Sequence, residues 1–329
     1  MTLDLTPLLP TQPPHPNRLL IEATLKPVQG RRFQPTGFPD LGAALFDGGQ
    51  RLLVESAQSM ANRMEMVCWD ESKKELVPEL KGLSYVRVES GGEYLTSSIT
   101  EAHRLNSPFI LEGKDKTFAE RLTAESAELA QGIIDRPGLA SLILRYDTGS
   151  LLHGVFLAKK ELAGGRLRLE RALSAFIEAS GVEVAASGGV KLDHLDASGK
   201  EDKGVGGASS EGFGNVPFQR DEYTASEIVA YFNLDLAQIR GYGLDAATEQ
   251  MLVALGLYKI LSLLDGNLRL RTACDLELDG SVRVTRPEGY TLPSLGTLRG
   301  ELPKLVKASA KHFAGDRGIT TVNYVKKTK

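Results

Sequence analysis

Two kinds of side-chain grouping in this sequence are suited to chemistry: one His–carboxylate cluster, and several short basic patches beside aromatic or hydroxyl residues. Asp193, His194 and Asp196 form the cluster. Metal centres usually draw their ligands from separate elements, whereas these three share one loop-like stretch, so no metal site is expected there. The other histidines (His15, His103, His153 and His312) are scattered. His153, inside the apolar run LLHGVFLA, reads as a satisfied core histidine rather than a catalyst. The sequence has no Gly-x4-Gly-Lys-Ser/Thr phosphate loop and no Gly-x-Ser-x-Gly elbow. The glycine-rich stretch Gly204–Gly214 follows no strand and opens no helix, so it fails as a dinucleotide fingerprint. Nothing assembles into a catalytic constellation, and the expectation is a non-catalytic protein without cofactor or metal.

The basic patches suit an anionic polymer. Arg31 and Arg32 stand beside Phe33 in a Gly- and Pro-rich loop, His103–Arg104 follows a Ser/Thr-rich stretch, and Lys159–Lys160 follows an apolar run. Cations paired with ring faces fit single-stranded nucleic acid, where bases stack and phosphates need neutralising. Phe213, Val216 and Phe218 end a long polar excursion; they read either as anchors of that loop or as wedges between bases.

These groups must be positioned by the elements around them. Arg18–Val28 reads as a first strand, followed by a loop to about Asp47 and a helix over Leu52–Trp69. On that helix Leu53, Ala57, Met60, Ala61, Met64, Val67 and Cys68 share one face. The opposite face carries Glu55, Gln58, Ser59, Asn62 and Arg63, short amides, hydroxyls and a guanidinium that suit hydrogen bonds to phosphate and sugar. An ordinary solvated face would also be amphipathic, so periodicity alone leaves both readings open. Further on, Phe118–Ile133 reads as a helix, Leu139–Tyr146 as an apolar element and Leu151–Ala158 as a buried strand. Ile228–Gly241 reads as a strand, Ala246–Asp265 as an apolar helix, Leu268–Leu278 as a strand and Leu302–Phe313 as a last helix. Strand–helix–strand units broken by long insertions imply an α+β fold.

Bulk properties narrow the class. The net charge of -3 and pI near 6.0 argue against a domain that grips nucleic acid by bulk positive charge, and leave room for a local basic groove. Two cysteines, Cys68 and Cys274, are too few for a disulfide framework and read as buried thiols of a reducing compartment. The proline-rich residues 1–16 read as a loose leader without the character of a secretory signal, and the apolar run Met251–Leu264 is too short to span a bilayer. The expectation is a cytoplasmic protein with no membrane contact.

Four long segments, RLLVESAQSMANRMEMVCWD, SSITEAHRLNSP, LLHGVFLAKKELAGGRLRLERALSAFIEASG and GNVPFQRDEYTA, occur in order along the chain. Together they resemble the RNA-coating backbone subunit, of the RAMP superfamily, in type I CRISPR effector (Cascade) complexes, and more narrowly its I-U (I-G) variety. The resemblance implies an RRM-like (ferredoxin-like) palm over residues 17–329, a fingers-like insertion at 71–136 and a thumb-like hairpin at 186–222. It implies a non-catalytic crRNA-binding subunit of antiviral defence that polymerises with copies of itself into a helical oligomer. Its partners would be the crRNA, other CRISPR effector subunits, and target DNA through guide pairing. By motif, Gln58, Ser59, Asn62 and Arg63 become guide-gripping residues, with Arg31, Arg32 and Phe33 beside the same strand. His103 and Arg104 fall in the fingers, while Phe213, Val216 and Phe218 become candidates for base wedging. The rival implied by related type III complexes is a metal-dependent target-RNA endoribonuclease using Asp40 or Asp47, both in the loop before the first helix.

Overall fold

The computed structural model describes residues 3–38, 40, 42–191, 216–266 and 268–326. In chain order, its first elements are β1 (Arg18–Pro27), β2 (Leu45–Phe46), β3 (Arg51–Glu55) and α1 (Ala57–Met66). Next come β4 (Tyr85–Ser90), β5 (Glu93–Ser97), α2 (Thr117–Ser126), α3 (Arg136–Tyr146) and α4 (Thr148–His153). Then follow β6 (Leu173–Ser180), β7 (Glu183–Lys191), β8 (Val216–Thr224) and β9 (Glu227–Asp235). The chain continues through α5 (Leu236–Gly241), α6 (Ala246–Leu264), β10 (Arg269–Arg271), β11 (Cys274–Leu278) and β12 (Arg283–Arg286). It ends with α7 (Leu295–Ser309) and β13 (Ile319–Asn323).

Alternation dictates the main sheet. Leu19, Ile21, Ala23 and Leu25 of β1 are buried, with partly exposed residues between them. The same period recurs in β6 (Leu173, Ala175, Ile177, Ala179) and along most of β9 (Ala230, Phe232, Leu234). Register brings Ile21 and Ala175 to either side of Phe232, so the three strands present one apolar layer. The strands run β10-β11-β1-β9-β6-β3-β2, all antiparallel, with β12 sharing the outer edge of β1.

The layer is covered by α1 and α6. Helix α6 is apolar nearly all round and buries residues from Met251 through Ile260, the pattern of a core helix. It is long and apolar enough to cross a membrane by length and composition, yet 78% of its apolar window is inside the protein. At Gly256 a Cβ would stand 3.2 Å from a Leu234 methyl, so the glycine is what lets α6 settle this close to β9. A second, three-stranded sheet pairs β4 with β5 and with the C-terminal β13, the latter in parallel. Residues 71–136 are thereby tied to the chain's far end.

Several expectations change in the folded protein. The helix starts at Ala57, because Ser56 accepts from the Ser59 amide as its N-cap. Leu52–Glu55 is instead strand β3, with Leu52 and Val54 facing the core. Thr148–His153 is a helix, with only Val155–Leu157 extended, and the second half of Ile228–Gly241 is helix α5. Leu268–Leu278 is a hairpin rather than one strand. Residues 1–16 are not a loose leader where described: Leu5 and Leu8 are buried in the core. Both cysteines are free and buried, as expected.

Candidate nucleic-acid interface

Ser59, Asn62 and Arg63 lie together, with Met66 and Val67, along one open groove of about 330 Å³ on the outer side of α1. The helical period puts them there: Met60, Ala61, Met64 and Glu65 turn inward. The Asn62 carboxamide oxygen is enclosed at the groove wall with no hydrogen-bond partner, a group that a ligand donor or a rotated amide would satisfy. Gln58 is one turn away, and its side-chain oxygen accepts from the Arg171 guanidinium.

Arg63 is held more firmly than a surface arginine. It donates to the Arg269 carbonyl at 3.2 Å and the Leu270 carbonyl at 2.5 Å, with Glu55 Oε2 at 3.8 Å. Glu55 is buried and also pairs with Arg271, whose guanidinium donates to the Gln34 carbonyl at 2.7 Å and the Val54 carbonyl at 3.3 Å. One buried carboxylate and two arginines thus fasten α1, β3, the loop after β1 and strand β10 together. The role of Arg63 in the free protein is that of a strut.

Phe33 is 1% exposed, so its ring is not offered to a base. Its backbone instead exchanges two hydrogen bonds with Tyr223, of 2.9 and 2.8 Å, clamping the loop to β8. Arg31 and Arg32 precede it and remain exposed, Arg32 reaching Glu222 at 3.3 Å.

His103 is exposed, but Arg104 is buried and bidentate on Glu65, at 2.7 and 2.5 Å. That pair joins the 3-10 turn after β5 to the inner face of α1, which removes Arg104 from any ligand surface. Around it lies a polar cluster that reading by sequence missed. Lys259 Nζ is 3.0 Å from His153 Nε2, and Ser150 Oγ donates to Asp147 at 2.7 Å. Burial pushes Asp147 up to about 7 and holds His153 well below its usual range, while it raises Glu65 against the pull of Arg104.

The arms of the 186–222 hairpin are β7 and β8, paired antiparallel from Glu183–Thr224 to Lys191–Val216. Phe213 lies outside the described residues, as do the side chains of Val216 and Phe218. Asp193, His194, Asp196 and Gly204–Gly214 also fall outside them. Asp40 and Asp47 are exposed, Asp47 facing Arg51 at 3.6 Å. Among the described residues no group of three His, Cys, Asp or Glu is placed to hold a metal ion.

The family described as CRISPR-associated protein GSU0053 matches residues 19–184. The chain belongs to that family. The match takes in β1, α1 with its groove, and β4 through the start of β7; β8 and the β10–β11 hairpin lie beyond it. No curated protein matches. Among solved structures, a chain of "CRISPR RNA-guided surveillance complex, pre-nicking" is 15% identical over 88% of this chain and 89% of its own, with a TM-score of 0.37. Csc2 of Thermofilum pendens is 9% identical over 88% and 76%, with a TM-score of 0.30. Both likenesses are distant. In this GSU0053 family chain, Arg269 and Arg271 join the site although no sequence motif singled them out. Their signal was three-dimensional: each lies far along the chain from α1.

Proposed function

We propose that this CRISPR-associated protein is a crRNA-binding backbone subunit of a type I effector complex, gripping the guide's sugar–phosphate backbone along α1. The observation that carries the reading is the groove at Ser59, Asn62 and Arg63. It sets the Ser59 hydroxyl and the Asn62 amide on one open face, beside an Arg63 guanidinium fastened to β10, in a chain whose family is CRISPR-associated. The sheet supports it too. Taking β1, β6, β9 and β11 as its frame, the order 4-1-3-2, with α1 after the first strand and α6 after the third, is the RRM-like arrangement proposed for the palm. In this reading residues 71–136 are the fingers, β7 and β8 belong to the thumb, and Phe213, Val216 and Phe218 are its candidates for base wedging.

Copies would polymerise along one guide and present its bases to target DNA, in the cytoplasm, with no chemistry of their own. The type III alternative is not favoured: among the described residues neither Asp40 nor Asp47 belongs to a group of three His, Cys, Asp or Glu placed to hold a metal ion. Incubating the assembled complex with complementary RNA and Mg²⁺ should leave that RNA intact. Cleavage at regular intervals, lost in Asp40→Ala or Asp47→Ala, would establish the alternative instead. The direct test of the proposal is purification from cells with the partner subunits, followed by extraction of nucleic acid. RNA of one defined length should be recovered; a complex free of RNA would overturn the proposal.

A further inference from the structure

A second concavity, of about 460 Å³, lies between the Gln29–Arg32 turn and the β10–β11 hairpin. Arg31, Arg32 and Arg269 line it, with Thr272, Glu222 and Asp275. Arg31 and Arg269 are both exposed, and neither guanidinium has a carboxylate partner among the described ion pairs. Their neighbours differ. Arg32 and Arg220 both pair with Glu222, while Arg63 and Arg271 share Glu55. Two uncommitted guanidiniums facing one groove on a chain of net charge -3 are a local exception that simple solvation does not require.

The walls are built to hold those two residues still. Arg63 donates to the Arg269 and Leu270 carbonyls of β10, the Arg271 side chain ties the strand's other end to the Gln34 and Val54 carbonyls, and the Phe33–Tyr223 bridge fixes the turn carrying Arg31. A preorganised guanidinium loses little entropy on binding and matches phosphate oxygens in a bidentate way. The two grooves are linked through one residue, since the Arg269 carbonyl bonds Arg63 of the α1 groove while Arg269 itself lines this one.

We infer that this groove is a second phosphate-binding site for single-stranded RNA, with Arg31 and Arg269 as its contacts and Arg63 as the strut that positions Arg269. The inference rests on the proposed guide-binding role and adds a strand contact beyond the segment matched by the family. Arg32 becomes available when a phosphate displaces it from Glu222, because Arg220 keeps that carboxylate paired.

The test compares the full chain with Arg31→Glu, Arg269→Glu and the control Lys304→Glu, an exposed lysine of α7. Fluorescence anisotropy with an unstructured RNA oligonucleotide is read across a salt series, and polyglutamate serves as the second probe. Each groove variant should bind RNA about tenfold more weakly at low salt and lower the slope of log Kd against log salt by about one, with the control unchanged. Thermal melting checks that each variant folds, and Arg31→Gln and Arg269→Gln replace any that does not. If the wild-type chain binds RNA and both groove variants match it in affinity and slope, this site is overturned while the guide-binding role stands. If the wild type binds no RNA, the role itself falls. Polyglutamate binding lost in the variants, with RNA binding intact, would make the groove a dock for an acidic protein and overturn the inference as well.

Discussion

Arg63 and Arg104 are both expected RNA contacts by sequence, yet each donates to groups inside the protein, and this sets what their removal does. Arg63→Ala deletes two hydrogen bonds to carbonyls and leaves Glu55 to Arg271 alone. It should cost about 1–3 kcal/mol in urea-induced unfolding. Arg104→Ala leaves the buried Glu65 carboxylate without its partner and should cost about 3–5 kcal/mol by the same measurement. Asp147 gives a prediction in pH. Burial raises it from 3.8 to about 7, so the folded state holds its proton more tightly than the unfolded chain does. That stabilisation is complete below pH 3.8 and is lost as pH rises through about 7. Asp147→Asn keeps an acceptor for Ser150 but cannot ionise. Its Tm should therefore gain on the wild type steadily across that window, and a constant difference would contradict the assignment. None of these three roles was legible in the sequence. An arginine beside Phe33 or after a serine run looks the same whether its guanidinium meets solvent or a carboxylate folded in from elsewhere.

At the scale of elements, legibility followed length and period. Strand β1 and helix α6 were readable because their alternation or apolarity runs long enough to exclude the other reading. The short segments Leu52–Glu55 and Leu151–His153 exchanged types, since runs this short fit either period and the neighbours decide. The groove on α1 was half legible: its polar face follows from spacing within one helix. The attachment of Arg63 to β10 was not, since no local pattern could place that strand beside α1. The pairing of β13 with β4 was likewise invisible, being a contact between distant parts of the chain. It depends on Gly318, at φ +85°, where a Cβ would fall 2.6 Å from the Gly82 carbonyl oxygen. Gly318→Ala should detach that strand, seen as faster amide exchange in residues 319–323 and 85–90 with β1 still protected.

For the whole molecule, an acidic chain can serve as an RNA-coating subunit only if its cations are concentrated where the strand runs. The arginines flanking β10 meet that condition: two grooves abut this short strand and the loop after β1, a third runs along α1, and Glu55 and Glu222 neutralise only part of the charge. Backbone recognition of this kind carries no sequence information, because phosphates and sugars are the same at every position. The most direct test is the affinity of the purified chain for two single-stranded RNAs of equal length and unrelated sequence, measured across a salt series. Our account predicts dissociation constants that agree within about threefold and weaken together as salt rises, with parallel log–log slopes. Binding of only one of the two, or of neither, would contradict it.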